Sequence, residues 1–195
     1  MKYFLVLFCL FAVPAAFSEE NPSGNYEVDN QRINVPAPEG FVNIIGTPQG
    51  KKFAAGFSQN SEVLAFFVPE KADIDKMSLE SGIKRYMMLK VARHLQLRAR
   101  MPLLQFIELQ KSIKSFAAKD NAFVIYETPR AIATMKLFTD APLPYVSVGA
   151  TVLIPQMPIT LQVRSSLEGE NDKEWVTVAV KNWIEGITKG NPWTR

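Results

Sequence analysis

The chain of 195 residues contains a single cysteine, Cys9, and a single histidine, His94. One thiol cannot form an internal disulfide, and it cannot by itself build a cysteine-ligated zinc site or an iron–sulfur cluster. A serine–histidine–aspartate triad would have to use His94, whose cationic neighbours Arg93 and Arg98 weaken it as a base. No Gly-x-Ser-x-Gly motif accompanies it, so a surface or loop histidine is the favoured interpretation.

The chain also lacks a glycine-rich phosphate-binding loop, because its ten glycines are scattered along the sequence. Apolar residues make up 47% of the chain, which predicts a substantial hydrophobic core. A formal net charge of +3 favours no particular class of partner. We therefore expect no cofactor, and we expect a domain that is stabilised by its core alone.

The first residues have the organisation of a secretory signal peptide. Lys2 supplies a positive charge, residues 3–13 are apolar, and Ala16-Phe17-Ser18 places small residues before a cut at Glu19. An uncleaved anchor helix is the alternative, but the apolar run is short for a bilayer span. Residues 1–18 are therefore predicted to direct export to the periplasm or beyond. Cys9 would be lost with them, which fits a bacterial periplasm better than a disulfide-rich scaffold.

No later stretch is long and apolar enough to span a bilayer, so the rest of the chain is not expected to be an integral membrane protein. Residues 19–31 are polar and are predicted to form a flexible N-terminal arm. Residues 32–195 contain no repeat and no linker, and they are predicted to form one domain.

Short strands come in neighbouring runs. Arg32–Val35 and Phe41–Ile45 flank a Pro-Ala-Pro-Glu-Gly turn and are predicted to pair as an edge hairpin. The further strands are expected at residues 63–68, 83–92, 123–127, 134–138, 145–154 and 159–167. For residues 83–92 the apolar pattern also fits a helix.

Two main helices interrupt and close this series of strands. The pattern of residues 46–60 is ambiguous, although Lys52–Phe57 is compatible with a short helix. The first main helix is opened by Pro102 and closed by Asp120-Asn121, with a buried stripe predicted at Phe106, Leu109, Ile113 and Phe116. The second runs from Asn171, its expected N-cap, to a left-handed exit at Gly190. Its apolar stripe has helical spacing: Val176, Ala179, Val180, Trp183, Ile184 and Ile187.

Strands in runs with two main helices predict an α+β fold, an antiparallel sheet of about six strands with helices packed against it. The stretch from Ile33 to Phe41, Ile-Asn-Val-Pro-Ala-Pro-Glu-Gly-Phe, resembles the opening strand–turn–strand of MOG1/PsbP-like proteins. The closing strand and helix, with Trp175 and Trp183, are similar to the same architecture, as in secreted bacterial proteins of this kind. The resemblance implies the fold. It carries over no functional residue, although PsbP proteins serve photosystem II and MOG1 binds a small GTPase.

The one uneven charge feature is a basic segment with no acid between Gly82 and Phe106. Such a concentration of cations is a candidate contact for an anionic lipid or an acidic envelope protein, and nucleic acid is not an expected partner of an exported protein. The simpler alternative is a solvated strand and loop whose charges are balanced by acids elsewhere. The candidate contact residues are Lys84, Arg85, Lys90, Arg93, Arg98 and Arg100.

Other polar clusters are weaker candidates. Asp73 and Asp75 lack the glycine and distal glutamate of a calcium loop, so a solvated loop is the better interpretation. Glu168, Glu170 and Asp172 suggest a two-carboxylate hydrolase, but turn chemistry and the helix dipole explain them as well. Trp175 and Trp193 suit either an exposed binding surface or a lock on the last helix, and the lock is favoured.

The sequence thus predicts an exported α+β protein without catalytic machinery and with a binding or accessory role in the cell envelope. A secreted hydrolase built from carboxylates and a structural subunit of an envelope assembly are the alternatives. No catalytic residue, cofactor ligand or metal ligand is predicted.

Overall fold

A computed structural model describes residues 24–58, 60–77, 83–93 and 100–193. The predicted signal peptide, His94 and Arg98 lie outside these described residues. The predictions made for them from the sequence are therefore left as predictions.

The described chain is an α+β fold built on one seven-stranded antiparallel sheet, in the order β3-β4-β5-β9-β8-β7-β6. The sheet is larger than the six strands expected, and a separate two-stranded hairpin precedes it. The strands are β1 Asn25–Val28, β2 Gln31–Asn34, β3 Phe41–Asn43, β4 Ser61–Pro69, β5 Arg85–Ala92, β6 Phe123–Thr128, β7 Ala131–Phe138, β8 Tyr145–Ile154 and β9 Met157–Ser166. The helices are α1 Pro48–Gly56, α2 Leu103–Lys119 and α3 Glu170–Gly190, with a short 3₁₀ turn at Ile74–Lys76.

Strands β8 and β9 are the longest pair, and they form the middle of the sheet. Their register places Ile154 opposite Met157 and Tyr145 opposite Ser166, around a turn where Gln156 has a φ of 62°. Along β9, buried and half-buried residues alternate without a break, which is the pattern of a strand that buries one face fully. The sheet consequently has two chemically different faces.

The predicted hairpin between residues 32–35 and 41–45 is wrong. β2 pairs with β1, and β3 pairs with β4. The turn that joins β1 and β2 is Asp29-Asn30, whose φ values of 49° and 62° suit the tight turn of a two-residue hairpin. The predicted N-terminal arm therefore contains β1, and its last residue, Gln31, begins β2.

Helix α3 covers one face of the sheet, which we call the front face. Val176, Val180, Trp183, Ile184 and Ile187 are buried in one cluster with front-face residues of β4, β5, β7, β8 and β9, which confirms the predicted stripe. Both predicted ends of the helix are wrong. Gly169 is the N-cap, with Asp172 accepting from the main chain, and Asn191 closes the helix by donating to Ile187 O at 2.7 Å. Gly190 has no positive φ.

The opposite face of the sheet, which we call the back face, carries α1 at one end and α2 at the other. Phe53 of α1 stacks on Phe66 at 5.5 Å in a second buried cluster. In α2 the buried stripe is shifted from the one predicted, because the Gln110 amide takes a core position by donating to Thr128 O and Ala131 O. Phe116 is consequently 70% exposed.

Candidate functional site

Strand β5 separates the predicted basic contact residues instead of bringing them together. Successive side chains of a strand alternate between its faces, and eight residues span roughly 26 Å. Lys84 lies just before the strand and forms an exposed ion pair with Glu168 at 2.9 Å. Arg93 is exposed just beyond the far end of the strand, and Arg100 is exposed in a different segment. The described members of the set do not form one continuous surface.

Arg85 belongs to the start of α3 and not to an open surface. Its Nη2 lies 3.1 Å from Asp172 Oδ1, its Nε donates to Ser165 Oγ at 3.3 Å, and its guanidinium lies 4.5 Å from the Trp175 ring centroid. Its hydrogen-bonding and cation–π capacity is therefore used within the fold.

Asp172 connects β9 and Arg85 to the start of α3, and the residue is 8% exposed. Its Oδ2 accepts from the N–H groups of Glu168 at 2.9 Å and Gly169 at 3.1 Å. Burial acts to raise the pKa of Asp172, but these hydrogen bonds, with those from Arg85 and Ser165, outweigh it and the pKa lies below its usual value. Asp172 is therefore a structural carboxylate.

Lys90 is the predicted contact residue that lies on the back face of the sheet, where its side chain is half-buried. Its Nζ donates to Gln162 Oε1 of β9 at 2.8 Å, and burial lowers its pKa. Arg164 lies two residues further along β9 on the same face, with its guanidinium 3.5 Å from the Tyr145 ring centroid. We call the strip formed by Lys90, Tyr145, Gln162 and Arg164 the back-face groove.

Within the described chain, neither Lys90 nor Arg164 has a carboxylate at ion-pair distance. The buried hydroxyl of Tyr86 lies close to Arg164, but no hydrogen bond of good geometry reaches it from the described residues. Burial raises the pKa of Tyr86, and the nearby Arg164 opposes that rise. Most buried polar groups in proteins are paired, so a buried hydroxyl without a well-formed hydrogen bond is an unusual feature of the described residues.

A cleft of about 590 Å³ opens next to this groove, between the C-terminal half of α2 and the sheet. We call it the α2 cleft. Its α2 wall includes Ile113, Phe116 and Ala117, and its sheet wall includes Lys136, Phe138, Ser147 and Gly149. Lys136 pairs with the exposed Asp120 at 2.6 Å. The volume falls within the range of pockets that bind small molecules.

Two features tie the cleft to the groove. Phe138, in the cleft wall, stacks on Tyr145 with ring centroids 4.4 Å apart, and Tyr145 in turn underlies Arg164. In the register of β8 and β9, Ser147 lies opposite Arg164 and Gly149 lies opposite Gln162. The groove and the cleft therefore share one continuous part of the back face.

A second, smaller cleft of about 330 Å³ lies on the front side, between the 36–41 turn and α3. Trp183 Nε1 donates to Pro36 O at 2.9 Å, and Trp175 stacks on Phe41 at 5.9 Å. Trp193 lies beneath Arg130, whose guanidinium is 5.3 Å from its ring centroid. These contacts tie all three tryptophans to the fold, as the predicted lock on the last helix requires.

The remaining candidate residues from the sequence form contacts within the fold. Glu168, Glu170 and Asp172 each pair with a cation, which is Lys84, Lys173 and Arg85 respectively. In the described residues, no group of three or more histidine, cysteine or acidic side chains is placed to hold a metal ion. Of the helices that the structure describes, none has the length and apolarity to cross a bilayer.

Sequence reasoning missed Arg164 and Tyr145, which the sheet register brings together with Tyr86 from three strands. The only signal available was Arg164 itself, a cation at a polar position of the regularly alternating strand β9.

Comparisons with known proteins found a weak structural similarity. No protein-family model matches the chain, and no curated protein sequence matches it. Among solved structures, the Ran-binding protein Mog1p of Saccharomyces cerevisiae is similar over 85% of this chain and 92% of that chain, at 8% identity and a TM-score of 0.46. The chain thus has the weak structural resemblance to MOG1-like α+β proteins that its sequence led us to expect.

Proposed function

We propose that this chain is an exported, non-enzymatic binding protein of the bacterial cell envelope, and that its ligand carries a negative charge and binds in the back-face groove. The observation that carries the proposal is the pairing state of Arg164 and Lys90. Both side chains are half-buried on the back face, and neither has a carboxylate partner among the described residues. A cation without a carboxylate partner is ready to pair with an anionic ligand.

The surroundings of Arg164 favour a site over a merely solvated charge. Tyr145 holds the guanidinium from below at 3.5 Å, which limits the conformational entropy that binding would cost. A preorganised guanidinium is a typical element of a site that recognises an anion.

The ion pairs of the candidate carboxylates support a role without catalysis. A general acid or base needs to be free to exchange protons with a substrate. Glu168, Glu170 and Asp172 are each engaged by a cation of the same fold. Their arrangement is accounted for by the start of α3.

Binding of a small polyanion provides the test of the site. Pyrophosphate, titrated into the protein by isothermal calorimetry, should bind in low salt and weaken as sodium chloride is added. Arg164→Gln should lose at least about tenfold in affinity, because a charge-assisted hydrogen bond contributes about 1.5–3 kcal/mol. Lys173→Gln, which removes an exposed cation that pairs with Glu170, is the matched control and should bind as the wild type does. Equal affinity in all three proteins would contradict the proposed site.

Export has a separate test. The protein recovered from the envelope fraction of its host should begin at Glu19, and intact-mass spectrometry would show this directly. A protein that retains residues 1–18 in that fraction would contradict the predicted cleavage. Native mass spectrometry of the same sample would reveal a bound protein partner, which would favour a structural subunit of an assembly over a small-ligand binder.

A further inference from the structure

The α2 cleft adds apolar surface to the site of the proposed function. Ile113, Phe116, Ala117 and Phe138 line it, and Phe116 is 70% exposed although it is a large aromatic residue. Exposed apolar surface beside a concave opening is a common mark of a binding site. The back-face groove next to it provides the charge.

The distance between the α2 cleft and the back-face groove determines which kind of molecule can contact both. Arg164 lies one strand away from Ser147 in the cleft wall, and neighbouring strands are roughly 5 Å apart. At the cleft, Lys136 pairs with Asp120 and the exposed Lys119 lies on the α2 wall, and Arg164 adds a positive charge on the groove side. A ligand that spans both parts has an anionic head and an apolar body.

Gly149 lies beside unfilled space on the back face of the sheet. It lies in the middle of β8, where most residue types pack well, and a Cβ built on it would meet no atom within 4 Å. A glycine within a strand weakens the strand, and it often marks a place where a ligand approaches the backbone closely. Neither packing nor a left-handed φ requires glycine here.

From the juxtaposition of Arg164, which has no carboxylate partner among the described residues, with the apolar α2 cleft, we propose that the protein binds single molecules of an anionic amphiphile, such as a fatty acid. The carboxylate pairs with Arg164, and the alkyl chain lies over Gly149 in the α2 cleft. This inference rests on the proposed function, because it names the class of ligand that the same site takes.

A series of linear carboxylates tests it: butanoate, hexanoate, octanoate and decanoate, each below its micelle concentration, titrated into the full-length mature protein. The dissociation constant should fall about fourfold for each added methylene that enters the cleft. Decylammonium, which has the same chain and the opposite charge, should bind at least about tenfold more weakly than decanoate. Comparable binding of the two would overturn the inference.

Two surface variants on α2 test where the alkyl chain of the ligand binds. Phe116→Ser should weaken decanoate about fivefold, whereas Leu104→Ser should leave it unchanged, because Leu104 is exposed on the same helix but does not line the cleft. Both residues are exposed, so neither change endangers the fold. If the two variants bind decanoate alike, the cleft assignment is wrong.

The outcomes separate this inference from the proposed function. If the affinity for carboxylates does not change with the length of the alkyl chain while pyrophosphate still binds through Arg164, the amphiphile proposal is wrong. The proposed anion site would then remain supported. Binding to phosphatidylglycerol vesicles without binding of monomeric decanoate would replace the cleft with a membrane-surface contact. If no anion of any length binds, both fail.

Discussion

Gly149→Val should produce a protein that is more stable than the wild type and that no longer binds decanoate. Valine suits a strand and reduces the freedom of the unfolded chain, so the free energy of unfolding should rise by about 0.5–1 kcal/mol. The added side chain points into space that no described atom fills, and it occupies the floor of the α2 cleft. Affinity for decanoate should fall at least about thirtyfold, because the alkyl chain loses its place.

Thermal unfolding and calorimetric titration of the same samples measure both effects. Thr151→Val is the matched control, since Thr151 lies on the same strand and the same face but does not line the cleft. It should bind decanoate normally. A Gly149→Val protein that binds as tightly as the wild type would show that the open space at Gly149 has no part in binding.

Asp172→Ala should give the largest loss of stability, about 2–3 kcal/mol in the free energy of unfolding. The change leaves the N–H groups of Glu168 and Gly169 without their acceptor and removes the partner of Arg85. Solvent moderates the loss of the ion pair, because the Arg85 side chain stays 40% exposed. Urea denaturation gives the value, and Glu174→Ala, on an exposed position of the same helix, is the control.

The same carboxylate should shape the acid stability of the protein. The folded-state pKa of Asp172 lies below its unfolded-state value, so its contribution is present above about pH 4 and is lost as the pH falls through the folded-state pKa. Asp172→Asn should therefore reduce the loss of stability on acidification below about pH 4. A slope identical to that of the wild type in this range would contradict the role given to Asp172.

The sequence predicted an element well wherever burial of one face requires apolar residues to recur at a fixed spacing. The stripe of α3 and the alternation of β9 follow from which residues are apolar, because each element buries only one face. The stripe of α2 was harder, because the amide of Gln110 is buried and its partners Thr128 and Ala131 lie beyond the helix. A polar residue that is satisfied by distant carbonyls has no local signature.

Strand pairing and the site were less predictable, for a related reason. The hairpin of β1 and β2 depends on positive φ values at Asp29 and Asn30, and residue type permits these values without demanding them. The basic segment was visible as a density of cations, but strand alternation sends Arg85 and Lys90 to opposite faces. The back-face groove exists only after the register of β5, β9 and β8 is known.

A nuclear magnetic resonance titration of the ¹⁵N-labelled mature protein with decanoate tests the central claim most directly, because it locates the ligand. The account predicts amide shifts concentrated on the back face, at Ser147, Gly149, Gln162 and Arg164 and in α2 from Ile113 to Ala117. Shifts concentrated instead at the front-side cleft, around Phe41 and Trp175, or no saturable shifts at all, would contradict it.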